Sequence, residues 1–281
     1  MDWTPGGRSS DVEDDRGGGG GGFGLPHLGI GGFLIVLVLS LIFHKNFFAL
    51  LSGGSTASAP TTNARPVNDP GEEREVQFVS FVLDDVQKTW TGILGQRNIP
   101  YHHAKLVLFR DQIQSGCGTA QSSTGPFYCP QDQKVYLDLG FFEELKRRFG
   151  APGEFAQAYV IAHELGHHVQ NVVGTERKVE GALQSGNKQL RNATSVKLEL
   201  QADCYAGVWG HSTEQRKIVN ESDFKQAMAA AAAVGDDRLQ KMAGRSVSPE
   251  SFTHGSSADR EMWFQKGFTT GDPSACNTFG Q

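Results

Sequence analysis

The longest hydrophobic feature of the chain is Leu28 to Phe43, sixteen residues without a charge. As a helix this run rises roughly 24 Å, a little short of a ~30 Å hydrocarbon core. Phe47 to Leu51 extends it, with Lys45 able to snorkel toward a headgroup. The pattern predicts one transmembrane helix over 28–51. Ala57-Ser58-Ala59 resembles a signal-peptidase site, but no basic stretch directly precedes the apolar run, and Pro60 follows the would-be cut. Residues 1–27 are polar, acidic at Asp11, Glu13, Asp14 and Asp15, and carry an unbroken glycine run from Gly17 to Gly22. Such a run cannot bury apolar surface, so disorder is expected there. Residues 52–71 have the Ser, Thr, Ala, Pro and Asn content of a linker. The folded domain is therefore expected over 72–281.

Within that domain the periodicity is mostly helical. Val76, Val79, Val82, Leu83 and Val86 recur at helical spacing and predict a helix over 72–95. Lys105 to Phe109 and Lys134 to Leu139 read as strands. A short helix at 141–149 ends before Gly150. A long apolar helix follows over 154–173, then a polar loop at 174–191 and a helix over 192–216. Ala227 to Val234 is helical, Pro249 sits at a helix start behind Ser248, and a last helix covers 258–268. The fold class is α+β, predominantly helical, with a small β-sheet.

Charge adds an exclusion. Twenty-six basic and 31 acidic residues leave a net charge of −5, and the basic residues are scattered. No basic patch exists to release counterions from phosphates, so nucleic acid is not an expected partner. Nothing in the sequence specifies an oligomeric state. Of the four cysteines, none forms a CxxC pair, which argues against a thiolate zinc site. Cys117 with Cys129 could close a short loop, and Cys204 with Cys276 could tie the chain end to a central helix. Two disulfides suit an oxidising compartment and favour a domain outside the cytoplasm, in the periplasm or at the cell surface. Free buried thiols in a reducing compartment are the alternative.

The chemistry centres on His163-Glu-Leu-Gly-His167, inside a helix too apolar to lie on a surface. Residues four apart share a helix face, so both imidazoles aim at one point that a zinc ion can bridge. Glu164 is rotated off that line and can reach a metal-bound water as general base. The third ligand must come from elsewhere. Glu199 is the candidate, on a second apolar-faced helix where Asp203 lies four residues on. One carboxylate can bind metal while the other accepts the outer N–H of a ligand histidine. His168 is the competing ligand, but it points off the shared face. His254, beside a glycine in a loop, could polarise a substrate carbonyl, or could be structural. Tyr205 reads as packing.

His163-Glu-Leu-Gly-His-His-Val-Gln170, Leu198-Glu-Leu-Gln-Ala-Asp-Cys204, Gly125-Pro-Phe-Tyr-Cys-Pro130 and Ser251-Phe-Thr-His-Gly-Ser256 together resemble the neutral zinc metallopeptidases of bacteria. The metal arrangement is similar to the gluzincins, in which a glutamate on a following helix completes HExxH. That resemblance implies a zincin-like domain binding Zn2+ through His163, His167 and Glu199. It further implies Glu164 as base, Asp203 behind the ligands, and strand 134–139 as the edge along which a peptide or protein substrate lies. The expected function is a membrane-anchored zinc peptidase. The alternative is a non-catalytic scaffold or membrane-complex partner, whose structural zinc would have four protein ligands.

Overall fold

The computed structural model describes residues 1–17, 70–148, 150 and 153–280. The transmembrane expectation over 28–51 and all but the last two residues of the expected linker lie outside them. Among the described residues, no helix is long and apolar enough to cross a membrane. The architecture is α+β and predominantly helical.

The domain opens with α1, Pro70–Gly95. Glu72 and Glu73 sit in its first turn, where the helix dipole favours negative charge. Val76, Val79, Val82, Leu83, Val86 and Trp90 along one face are fully buried. They pack against a four-stranded sheet and the central helices. The sheet has the order β1-β2-β6-β5, with β1 Val12–Asp14, β2 Lys105–Phe109, β5 Phe127–Cys129 and β6 Lys134–Asp138. The first three are mutually parallel and β5 is antiparallel to β6. Alternation explains how a small sheet buries both faces. Leu106, Leu108, Val135 and Leu137 enter the main core. Val107, Phe109 and Tyr136 form a second cluster with Cys129, Ile113 and Phe127. Between β2 and β5 lies an antiparallel hairpin, β3 Gln112–Ser115 and β4 Gly118–Gln121. Cys117 at its turn is disulfide-bonded to Cys129, with Cα atoms 5.8 Å apart.

Two sequence expectations need correction here. Residues 1–17 are ordered on the domain. Three acids of the patch read as a mark of disorder are paired with basic groups, those of Asp11 and Glu13 far along the chain. Asp11 meets Lys105 and His103, Glu13 meets Lys134, and Asp14 meets Arg8 and Arg16. A three-residue edge strand has no periodicity to detect, and its stability comes from the edge of β2. The second correction concerns β6. It is an internal strand, bonded to β2 on one side and β5 on the other, so it cannot be the edge that receives a peptide. The short Phe127–Cys129 segment holds that place.

The helices follow as α2 Gly140–Arg147, α3 Glu154–Val172, α4 Thr175–Leu183, α5 Lys188–Gln215, α6 Glu221–Ala233, α7 Asp236–Met242 and α8 Ser257–Thr270. α4 occupies part of the expected polar loop at 174–191. It buries none of its residues fully, so no apolar stripe announced it. α3 is central and buried over most of its surface, between α1, α5 and α6. α5 lies along both α3 and α8. Cys204 on α5 is disulfide-bonded to Cys276 beyond α8.

α5 and α8 approach through glycines. A Cβ on Gly207 would lie 2.1 Å from the Phe264 carbonyl oxygen, and one on Gly267 would lie 1.9 Å from that of Cys204. Backbone on backbone cannot yield as a side-chain end can. Gly267→Ala is therefore expected to force α8 off α5 and to cost about 1–3 kcal/mol or more. Urea unfolding followed by circular dichroism would read this, and an unchanged midpoint would refute the close contact.

Candidate metal centre

α3 carries His163, Glu164 and His167, and α5 carries Glu199 and Asp203. The two helices meet at Gly166, where a Cβ would come within 2.9 Å of the Ala202 carbonyl oxygen. Glycine inside the motif thus lets the ligand-bearing faces touch.

Three donor groups converge there. One ligand atom each from His163, His167 and Glu199 lies within 4.8 Å of the others. His163 Nε2 is 3.2 Å from Glu199 Oε2, and His167 Nε2 is 3.5 Å from Glu199 Oε1. Donor atoms on a tetrahedral zinc with bonds near 2.1 Å sit roughly 3.4 Å apart, so the donor set fits the ion. The far sides of both rings are held. His163 Nδ1 faces Asp203 Oδ1 at 2.8 Å, and His167 Nδ1 faces Gln170 Oε1 at 2.8 Å. Each acceptor assigns the proton to Nδ1 and leaves the Nε2 lone pair for a metal.

Electrostatics also favour a cation. Burial alone would raise the Asp203 carboxyl, but Arg260 and His163 bring it down to about 2. Burial likewise opposes charge on Glu199, and the neighbouring histidines hold it well below the carboxylate range. With no metal bound, burial disfavours the His163 imidazolium, yet Asp203 and Glu199 lift it to about 10. Two anions thus flank this ring and call for positive charge between them. Glu164 stands apart from the converging donors. Burial pushes its carboxyl up to about 7, with His163 and the nearby Tyr128 backbone on β5 opposing. The edge strand and the base are therefore neighbours.

The partners that surround Asp203 carry no sequence signal strong enough to find them. Asp203 is fully buried and accepts from Tyr159 Oη at 2.5 Å, Arg260 Nε at 2.8 Å and Arg260 Nη2 at 2.9 Å. Arg260 lies 57 positions from Asp203 and Tyr159 lies 44, so neither is visible as a pair along the chain. Gln170 lies three residues beyond His167 and was legible only as part of a motif. It also donates to the Leu198 carbonyl of α5 at 2.7 Å. Glu176 on α4 is within electrostatic reach of His167.

His254 sits in a loop that wraps the Asp236 carboxylate. Oδ2 accepts the backbone N–H groups of Thr253, His254 and Gly255, and Oδ1 lies 3.3 Å from His254 Nδ1. Burial works against the imidazolium, but Asp236 and Glu199 outweigh it, and His254 titrates above its ordinary value. Its side chain remains 40% exposed, so the ring can meet a ligand. His168 is removed from the centre. It is fully buried, with Nδ1 on Tyr128 Oη and Nε2 on the His102 carbonyl. Tyr205 packs edge-on against Trp90, with ring centroids 5.1 Å apart.

A protein-family model described as "Putative neutral zinc metallopeptidase" matches residues 1–279. The chain is similar to "Uncharacterized protein YpfJ" of Escherichia coli strain K12, at 43% identity over 289 aligned positions, covering 100% of this chain and 99% of that protein. It is also similar to "Uncharacterized protein Rv2575" of Mycobacterium tuberculosis strain H37Rv, at 44% identity over 207 positions, covering 70% of this chain and 68% of that protein. No solved structure matches.

The Asp203–Arg260 pair supports a stability test. Arg260→Met leaves a buried carboxylate short of its partner and is expected to cost about 3–5 kcal/mol. Combining it with Asp203→Asn should recover part of that loss, since both charges are then gone. Denaturant midpoints measured with metal chelated would show it, and a double variant as unstable as the sum of its parts would refute the coupling.

Proposed function

The chain belongs to this zinc metallopeptidase family, and from that premise we propose that it is a zinc-dependent peptidase of zincin-like architecture, hydrolysing peptide bonds with Glu164 as general base. The observation that carries this reading is the asymmetry of the centre. The converging group holds three protein donors, His163, His167 and Glu199. A structural zinc site takes four protein ligands, whereas a catalytic one keeps a position open for water. A further carboxylate, Glu164, lies buried beside the group and outside it.

Zinc held by His163, His167 and Glu199 would supply a Lewis acid and would make an attacking water more acidic. Glu164 accepts the proton of the attacking water and passes it to the leaving nitrogen. A peptide strand lies along β5, whose Tyr128 backbone adjoins Glu164. His254 donates from Nε2 to the carbonyl oxygen. Asp236 faces its Nδ1, so donation from Nε2 requires the imidazolium. Asp203, Gln170, Tyr159 and Arg260 orient the ligand rings without touching substrate. The same reading places the enzyme at a membrane through residues 28–51. Its two disulfides suit an oxidising compartment and support a domain outside the cytoplasm.

Glu164→Gln should lower turnover of a peptide library by about 10²–10⁴-fold while the protein still binds zinc. His163→Ala should lose the zinc. Mass spectrometry of the library and metal analysis of each variant read both, and full activity in Glu164→Gln would sink the mechanism. A pH prediction follows from His254. Its raised pKa means that activity persists below that pKa and is lost as pH rises through it. Asp236→Asn removes a raising partner, so the alkaline limb of kcat/KM should move to lower pH. An unmoved limb would remove His254 from the reaction.

A further inference from the structure

The two ends of the long apolar excursion meet on the domain. Gly17 is the last described residue before it and Pro70 the first after it. On the near side, Val12, Glu13 and Asp14 pair with Leu106, Val107 and Leu108 of β2. The Trp3 ring packs edge-on against Phe78 of α1 at 5.2 Å, and its Nε1 donates to Glu154 at the start of α3. Gln87 of α1 donates to Asp11. The join itself is ionic. Arg16, with its side chain 1% exposed, bonds Asp14 on one side and Glu72 at 2.9 Å on the other. Arg8 pairs with both Asp14 and Glu73.

These contacts constrain topology. A segment that crosses a bilayer once places its two flanks on opposite sides of a ~30 Å hydrocarbon layer. A β-ladder and a buried ion pair cannot form across that layer. Arg16 and Glu72 would each lose a buried partner, and the β2 edge would be left open. Exchange of the N-terminal strand between two copies does not relax the constraint, because every copy would carry the same topology.

We propose that residues 1–17 and the metal-binding domain lie on the same side of any membrane the protein meets. This replaces the single crossing expected from hydropathy. It holds whether or not the centre is a peptidase. Arg8 and Arg16, which precede the run in sequence, are both ion-paired to the domain, through Glu73 and Glu72, and to Asp14.

The test uses the full chain in intact bacterial cells with the outer membrane made permeable. All four cysteines are in disulfides, so a single introduced thiol is the only label site. Gly6→Cys reports the N-terminal segment, where a Cβ meets nothing within 4 Å. Lys225→Cys reports the domain, at a side chain that is 72% exposed. Each is labelled with a membrane-impermeant maleimide and normalised to the same cells after detergent lysis. Equal fractions for the two positions, both labelled or both protected, are expected. Labelling of one position with protection of the other would overturn the proposal.

Discussion

The Asp203 carboxylate is the contact on which the centre depends. It lies in full burial and takes three kinds of partner at once: an imidazole from the motif helix, a phenol one turn before it, and a guanidinium from the last helix. A buried anion is tolerated only when its lone pairs are filled. Each partner is therefore held by the need to satisfy the same two oxygens. Aligning His163 and positioning α8 against α5 become one requirement, and Tyr159 prevents the carboxylate from rotating away. His167 has a milder counterpart. Gln170 accepts from the ring and donates to the backbone of α5 and to Gln201, which in turn bonds the Cys276 carbonyl. Both ligand rings are thus referenced to the α5–α8 frame rather than to their own helix.

That frame closes because small residues stand where helices cross. Gly166 lets α3 meet α5, and Gly207 with Gly267 lets α5 meet α8. The side-chain reach needed to join α3, α5 and α8 at Asp203 is short. Only backbones in near contact allow an aspartate, not a longer acid, to serve.

Much of this was legible in the sequence, for identifiable reasons. The helix at 70–95, the two parallel strands at 105 and 134, and the motif helix carry runs of buried apolar residues, and burial writes itself as periodicity. His163 and His167 are local in sequence, so their shared face followed from helix geometry. Glu199 and Asp203 were legible because the same four-residue spacing recurs on a second helix. What escaped was either short, polar or distant. β1, β3, β4 and β5 have three or four residues each, too few to show alternation. Arg260 and Asp236 act through tertiary contacts with residues 57 and 18 positions away. The N-terminus misled for the opposite reason. Its charges looked solvated because their partners at Lys105, Lys134 and Glu72 lie far along the chain.

Strand β1 has one further consequence, for behaviour in crowded solution. A sheet edge is a template for any other strand, and proteins that leave one bare risk edge-to-edge aggregation. β1 covers the β2 edge with three residues, two of them acidic, flanked by Asp11 and Arg16. Charges of this kind discourage a further strand from adding beyond it. Among the described residues, the opposite rim of the sheet is β5, near Glu164. A fragment trimmed to start at residue 70 would reopen the hydrophobic β2 edge, so such a fragment would trade solubility for brevity.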